Sequence, residues 1–287
     1  MKSLSLRWLI ISVLILVVII FGLWFFLKKP VSIETVIPQN SFVQQIGSSV
    51  QSRKIEAYSF GQGNIHLAFV GGIHGGYEWN SVLLAYQAID YLTANPEIVP
   101  ANLTVTIIPN ANPDGVFAVT NKEGRFTVAD VKTNLLNGTG RFNANQVDLN
   151  RNFACNWQAT STWKNNIVSA GTTSFSEPEA KAIRDFVLAN KPKAVVFWHS
   201  QSNAVYASEC NDGILPETLN IMTTYAQGAK YPAVKSFDSY KVTGDAEGWL
   251  ASINIPAITV ELQTHETIEW ERNLAGIKAL FDYYKVK

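Results

Sequence analysis

Short apolar runs alternate with segments of helical periodicity along most of the chain. Apolar runs rich in β-branched and aromatic residues predict buried strands. The predicted strands span residues 51–60, 64–70, 103–108, 194–198 and 257–262. Between them, apolar residues recur every three or four positions, which predicts helices. The predicted helices span residues 78–93, 176–190, 216–229 and 268–284.

This alternation of helices with fully apolar strands is typical of α/β domains. We therefore expect a mixed, largely parallel central sheet with helices on both faces. The strands at 51–60 and 64–70 should pair through the glycine-rich turn at 61–64. A capping box formed by Ser176 and Glu179 should open the helix at 176–190. Residues 110–173 are rich in Asn, Gly and Thr and only weakly periodic, which favours long functional loops.

The N-terminus carries a different pattern. Residues 8–27 contain no charge, and a helix of that length would span about 30 Å, the thickness of a bilayer core. This predicts a cytoplasmic tail (1–7), a transmembrane signal anchor (8–27), a linker (28–41) and one folded domain (42–287). The alternative is a cleaved signal peptide, but no small-residue cleavage site follows the run. Basic residues flank both ends, so the positive-inside rule only weakly favours an extracytoplasmic location of that domain at the cell membrane.

Charge and cysteine content bear on the possible binding partners and on disulfide formation. Lys plus Arg and Asp plus Glu number 23 each, so no net field favours nucleic acid as a partner. Cys155 and Cys210 are the only cysteines. Two cysteines in an exported domain favour one disulfide, and buried free thiols are the alternative.

Metal-capable groups stand at the ends of apolar runs. His74 follows one predicted strand, Glu78 begins the next helix, and His199 ends another strand. Two imidazoles and a carboxylate make a three-ligand zinc site that keeps one coordination position open. Glu261 is a lone carboxylate inside an apolar strand, and it could act as general base beside such a site. Since ligands gather at the carboxyl ends of strands in such folds, these residues should meet there.

Several motifs together resemble the M14 zinc carboxypeptidases, the carboxypeptidase A/B-like family, of a bacterial membrane-anchored type. The resemblance covers most of the chain from about residue 46. It rests on the segments at 46–55 (IGSSVQSRKI), 109–115 (PNANPDG), 150–153 (NRNF) and 199–200 (HS). It implies one zinc ion held by His74, Glu78 and His199, with Glu261 as the catalytic base. The family usually separates the first His and Glu by two residues, whereas three intervene here.

The same resemblance implies further roles. Asn150 and Arg151 would hold the terminal carboxylate of the substrate, since the fork of an Arg binds a carboxylate bidentately. Tyr240 would cap the substrate, and Arg141 would stabilise the oxyanion. Glu247 falls where the family lines its side-chain pocket, so an acid there suggests a preference for a basic or amine-bearing terminal residue.

The pocket assignment has a plainer alternative. Asp245 could share the pocket role with Glu247. Both acids could instead simply cap the start of a short helix.

Three functions compete at this level. The first is a zinc-dependent metallocarboxypeptidase that hydrolyses a C-terminal peptide bond, or the γ-glutamyl-diamino acid bond of peptidoglycan stem peptides, and is expected to be a monomer. The second is an N-acyl amino acid deacylase of the aspartoacylase/desuccinylase branch; Ala154 after the 150–153 motif argues against it. The third is a non-catalytic module that binds cell-wall peptides. The joint presence of all the expected ligands and catalytic groups argues against this one.

Overall fold

The computed structural model describes residues 41–133 and 136–287. The predicted cytoplasmic tail, the signal anchor and the linker up to residue 40 lie outside the described residues. Within the described ranges, no helix combines the length and the apolar character needed to cross a membrane.

The described residues form ten strands and six α-helices. The strands are β1 (Ser41–Ser48), β2 (Lys54–Phe60), β3 (Ile65–Val70), β4 (Leu103–Ile108), β5 (Thr160–Trp163), β6 (Asn166–Ser169), β7 (Ala194–Ser200), β8 (Ala204–Ala207), β9 (Ala233–Val234) and β10 (Ala257–Leu262). The helices are α1 (Trp79–Ala94), α2 (Pro113–Thr120), α3 (Pro178–Asn190), α4 (Pro216–Ala229), α5 (Ala246–Ser252) and α6 (Trp270–Lys285).

Eight strands form one mixed sheet in the order β1-β2-β4-β3-β7-β10-β8-β9. The pairs β4–β3, β3–β7, β7–β10 and β8–β9 are parallel, and the remaining three are antiparallel. The expected mixed α/β fold is therefore confirmed. At the centre, β3, β7 and β10 are parallel neighbours, so their carboxyl ends meet at one edge of the sheet.

One predicted strand pairing is wrong. The strands β2 and β3 do not pair with each other, because β4 lies between them and bonds to both. The turn at 61–64 instead runs along β4, with the Gly63 amide donating to the Leu103 carbonyl. A β3–α1–β4 crossover returns the chain parallel to β3, and β4 takes the position beside it that a hairpin would have given to β2.

Side chains of the central strands alternate between two apolar cores. One core packs the sheet against α1, α4 and α6, and the other packs it against α3 and α5. In β10, Val260 and Leu262 point into the first core. Because side chains alternate along a strand, Thr259 and Glu261 point to the opposite face. The polar residues of this strand therefore all project from one side of the sheet.

Most predicted helices and strands agree with the structure to within a few residues. The predicted capping box does not form: α3 begins after Glu177, whose side chain makes no cap bond. The Ser176 hydroxyl donates to Glu177, and Glu179 accepts the Val50 amide instead. The short strands β5, β6, β8 and β9 were not among the predicted strands.

Candidate active site

A tight turn brings His74 and Glu78 together. After β3 the chain forms a 3-10 turn from Gly75 to Glu78, and α1 begins at the next residue. Gly75 has φ +49°, and a Cβ there would lie 2.6 Å from the Gly140 carbonyl oxygen. The turn therefore needs glycine. The turn contains the three residues that separate His74 from Glu78. His74 Nδ1 lies 2.8 Å from Glu78 Oε1.

The parallel neighbour β7 supplies the third member of the cluster. His199 Nδ1 lies 3.2 Å from His74 Nδ1 and 3.0 Å from Glu78 Oε2. One ligand atom from each of the three residues lies within 4.8 Å of the others, and all three residues are buried. The structure thus brings together the three predicted metal ligands with their ligand atoms converging on one point.

The electrostatics of this cluster favour a bound cation. Burial would raise the pKa of Glu78, but the imidazoles of His74 and His199 lower it well below the usual value. Burial would lower the pKa of His199, but Glu78 and Glu247 raise it well above the usual value. The three groups thus hold a buried negative charge that needs a positive partner, either a proton or a metal ion.

A buried ion pair of Arg141 and Asp148 lies beside His74, with Arg141 Nη2 at 2.9 Å from His74 Nε2. Asp148 lies 2.8 Å from Arg141 Nη2 and 3.5 Å from His74 Nε2. Burial would raise the pKa of Asp148, but Arg141 and Arg151 hold it well below the usual range. Sequence reasoning missed Asp148 as a functional residue, although it opens the segment that contains Arg151. The signal was present, since ligating His residues usually donate their second N–H to a carboxylate or carbonyl.

Glu261 lies beside the cluster on the adjacent strand. It is the register partner of His199 in the parallel pair of β7 and β10. Its Oε2 atom is buried and has no hydrogen-bond partner among the described residues. Burial and the charge of Glu78 raise the pKa of Glu261 to about 7. A carboxylate in this state is suited to taking up and releasing a proton.

Arg151 is held rigidly by backbone carbonyls. Its Nε and Nη2 atoms donate to the Thr162 carbonyl, at 3.2 and 3.0 Å, and its Nη1 atom donates to the Asn150 carbonyl at 2.6 Å. The side-chain oxygen of Asn150 accepts the Ala246 amide. A guanidinium has five N–H groups, so one on each terminal nitrogen is left for a ligand. That remaining pair matches the two oxygens of a carboxylate.

Two cavities meet at the cluster, and His74, Glu261 and Tyr240 line both of them. The first cavity, of about 340 Å³, contains Arg151 and the acids of α5. We call it the Arg151 cavity. The second, of about 380 Å³, contains Arg141 and Lys164. We call it the Lys164 cavity. A substrate bond beside Glu261 would therefore have one part in each cavity.

The comparisons with known proteins agree with this geometry. A model of the zinc carboxypeptidase family (Peptidase_M14) matches residues 31–272. The chain belongs to this family. The structure of bovine thrombin-activatable fibrinolysis inhibitor, in complex with tick carboxypeptidase inhibitor, superposes with a TM-score of 0.67 at 21% identity. That match covers 87% of this chain and 90% of the other.

Two bacterial proteins are similar in sequence. The chain is 25% identical to γ-D-glutamyl-L-diamino acid endopeptidase 1 of Lysinibacillus sphaericus, over 76% of this chain and 59% of that protein. It is 30% identical to murein peptide amidase A of Escherichia coli K12, over 42% of this chain and 50% of that protein. The chain thus spans about half to three-fifths of the length of the curated relatives it matches.

In this family member, Glu247 contacts a predicted metal ligand directly. Its Oε1 atom lies 3.1 Å from His199 Nε2 and accepts the Thr259 hydroxyl at 3.0 Å. Glu247 also lines the Arg151 cavity. Asp245 caps α5 by accepting the Gly248 amide, and burial together with Glu247 raises the pKa of Asp245 to about 6. Asp245 therefore caps the helix and also lines the Arg151 cavity.

A disulfide joins the two loops around the Arg151 cavity. Cys155 and Cys210 are bonded, with their Cα atoms 6.3 Å apart. Gly244 bridges the same region: its carbonyl accepts the Phe153 amide, and its own amide donates to the Cys155 carbonyl. Gly244 has φ +72°, and a Cβ there would lie 2.3 Å from the Arg151 carbonyl oxygen. The loop that carries Tyr240 is thereby fixed against the loop that carries Arg151.

The remaining two histidines, His66 and His265, lie outside the cluster. His66 bonds to the Thr106 hydroxyl at 2.7 Å. His265 lies at the rim of the Lys164 cavity, where its Nδ1 atom bonds to the Ser200 hydroxyl at 2.7 Å and its ring packs against Tyr77.

Proposed function

We propose that this chain is a zinc-dependent metallocarboxypeptidase that hydrolyses the amide bond before a terminal residue carrying a free carboxylate. One observation carries the proposal. The His74, Glu78 and His199 ligand atoms converge beside Glu261, whose Oε2 atom has no hydrogen-bond partner among the described residues, at the junction of two cavities. Arg151 lines one of these cavities and has two N–H groups that are free to bind a ligand. That combination suits cleavage of a bond close to an anionic terminus.

The residues present fit a zinc ion. Two imidazole nitrogens and a carboxylate are the donor set that catalytic zinc prefers, and they leave one position open. Glu247 Oε1 lies 3.1 Å from His199 Nε2 and gives that ring nitrogen an acceptor, whereas Nε2 of His74 lies 2.9 Å from Arg141 Nη2 and 3.5 Å from Asp148 Oδ1. When bound, zinc acts as a Lewis acid that polarises a carbonyl and lowers the pKa of water.

The protein groups around the ion would divide the remaining work. Glu261 takes the proton of the attacking water and passes it to the leaving amine. Arg141 donates hydrogen bonds to the oxyanion that forms on the attacked carbonyl. Arg151 and Asn150 hold the carboxylate of the leaving residue, and Tyr240 covers it. These contacts fix the bond at the cavity junction, where Glu261 can reach it.

The names of the relatives favour a bacterial wall substrate. One is a γ-D-glutamyl-L-diamino acid endopeptidase and the other a murein peptide amidase. We therefore infer that the preferred bond joins a γ-glutamyl residue to a terminal diamino acid. Asp245 and Glu247 line the cavity that would hold the diamino acid. Their charge complements the second amine of such a residue.

We further propose that the apolar run at 8–27 tethers the domain on the extracytoplasmic side of the cell membrane. The disulfide supports this location, because disulfides persist in oxidising compartments. Protease digestion of intact cells followed by lysed cells tests it. Digestion of the domain only after lysis would contradict the proposal.

The test of function compares the full-length chain in detergent with its Glu261→Gln variant. Three substrates are offered: a γ-glutamyl-diamino acid tripeptide, an α-linked peptide and an N-acyl amino acid. Glu261→Gln should keep one zinc ion but lose turnover by at least about 10², since general base catalysis contributes that much. Cleavage of only the N-acyl amino acid would point to a deacylase, and full activity of the variant would refute the assignment.

A further inference from the structure

The proposed function leaves the acyl side of the bond to the Lys164 cavity. The Arg151 cavity holds the group that binds a terminal carboxylate, so the leaving residue belongs there. The other part of the substrate must then lie in the Lys164 cavity, which shares His74, Glu261 and Tyr240 with the first. Whatever distinguishes one acyl residue from another has to be recognised in this second cavity.

Two basic side chains line the Lys164 cavity, and among the described residues only one of them has an acidic partner. Arg141 is buried and paired with Asp148 at 2.8 Å. Lys164 forms no salt bridge within residues 41–133 and 136–287. Its Nζ atom donates one hydrogen bond, to the Tyr77 hydroxyl at 3.1 Å. An ammonium has three N–H donors, so two stay available.

Lys164 is solvent-exposed, and two aromatic side chains lie beside its ammonium. It lies in the turn of the β5–β6 hairpin, directly after Trp163. The ammonium lies 5.5 Å from the ring centre of Trp163 and 5.8 Å from that of Tyr77. The same hairpin offers the Thr162 carbonyl to Arg151. One structural unit therefore carries Lys164 and holds the group that binds the terminal carboxylate.

Substrate chemistry supplies a matching anion. In an α-linked peptide, the residue on the acyl side has its α-carboxyl group in the scissile amide. In a γ-linked glutamyl residue, the side-chain carboxyl forms the scissile amide, and the α-carboxylate is free a few bonds away. A cation on the acyl side would favour the second kind of residue over the first.

We propose that Lys164, held by Tyr77 and Trp163, binds the free α-carboxylate of a γ-linked glutamyl residue and so selects γ-linked over α-linked substrates. This inference rests on the proposed function. It assigns the acyl-side specificity of the site to a residue that has no part in the chemical step.

A pair of tripeptides tests this directly with the full-length chain. They differ only in the glutamyl α-position, which carries a carboxylate in one and a carboxamide in the other. Wild type should prefer the carboxylate by roughly five- to tenfold in kcat/KM, the size expected for a charge-assisted hydrogen bond in partial contact with water. Lys164→Met should remove most of that preference, whereas Lys164→Arg should retain part of it.

Lys285→Met is the matched control, because it makes the same chemical change on an exposed part of α6 and lines neither cavity. It should keep the wild-type preference. Equal losses on both tripeptides in Lys164→Met would overturn the carboxylate subsite while leaving the proposed function intact. If wild type cleaves α-linked peptides but neither tripeptide, both the subsite and the γ-glutamyl assignment fail. If it cleaves none of them, the proposed hydrolase fails as a whole.

Discussion

The most direct prediction concerns Arg151, whose hydrogen bonds define what it can still bind. Three of its N–H groups are directed at backbone carbonyls, and one on each terminal nitrogen remains. A bound carboxylate would accept both. A charge-assisted hydrogen bond contributes about 1.5–3 kcal/mol. Arg151→Lys keeps the charge but loses the planar fork, so it should cost about one such bond, which is a loss on the order of 10–10² in kcat/KM.

The assay compares a substrate with a free terminal carboxylate and the same substrate with a terminal amide. Arg151→Lys should reduce kcat/KM for the free acid at least about tenfold more than for the amide, because only the acid uses the fork. Any structural damage from the lost contact to Thr162 would affect both substrates alike. Equal losses on acid and amide would refute the role of Arg151 as the carboxylate anchor, even if the total loss were large.

Three further predictions address the metal and the scaffold. His199→Ala should abolish both zinc retention after dialysis and activity; a variant that kept stoichiometric zinc by metal analysis would contradict its role as a ligand. Glu247→Gln should weaken zinc affinity by about 10–100-fold in a competition with a chelator, since it changes the group behind His199; unchanged affinity would leave Glu247 as a pocket residue only. Replacing Cys155 and Cys210 with Ser removes a bond that closes a 55-residue separation, and urea unfolding should show a loss of up to about 4 kcal/mol; no loss would mean that the loops are held by their other contacts.

Local patterns were sufficient for most of the fold. The mostly apolar runs at β3, β4, β7 and β10 could be identified because strands buried on both faces consist largely of apolar residues. The pairing of these strands was harder. The short turn at 61–64 suggested a hairpin, and only the crossover through α1 put β4 between β2 and β3. Sequence distance does not show which strand fills a neighbouring position, since that depends on the whole sheet.

Only some residues of the candidate site could likewise be predicted from the sequence. His74, Glu78, His199 and Glu261 stood out because each is a polar group in or beside an apolar strand, where burial without a partner is costly. Asp148 did not stand out, because its role depends on contacts with Arg141 and His74 that come from distant segments. The contact of Glu247 with His199 was missed for the same reason.

The sequence by itself determined which residue types are present for hydrolysis and which strands would deliver them to one edge of a sheet. Strand ends carry that information because parallel strands align their carboxyl ends. Only the tertiary structure decided which donors remain unused. The number of N–H groups that Arg151 and Lys164 can still donate depends on which carbonyls and hydroxyls of other segments already accept the rest. Hydrogen bonds are short and directional, so that count can be made only once the chain has folded.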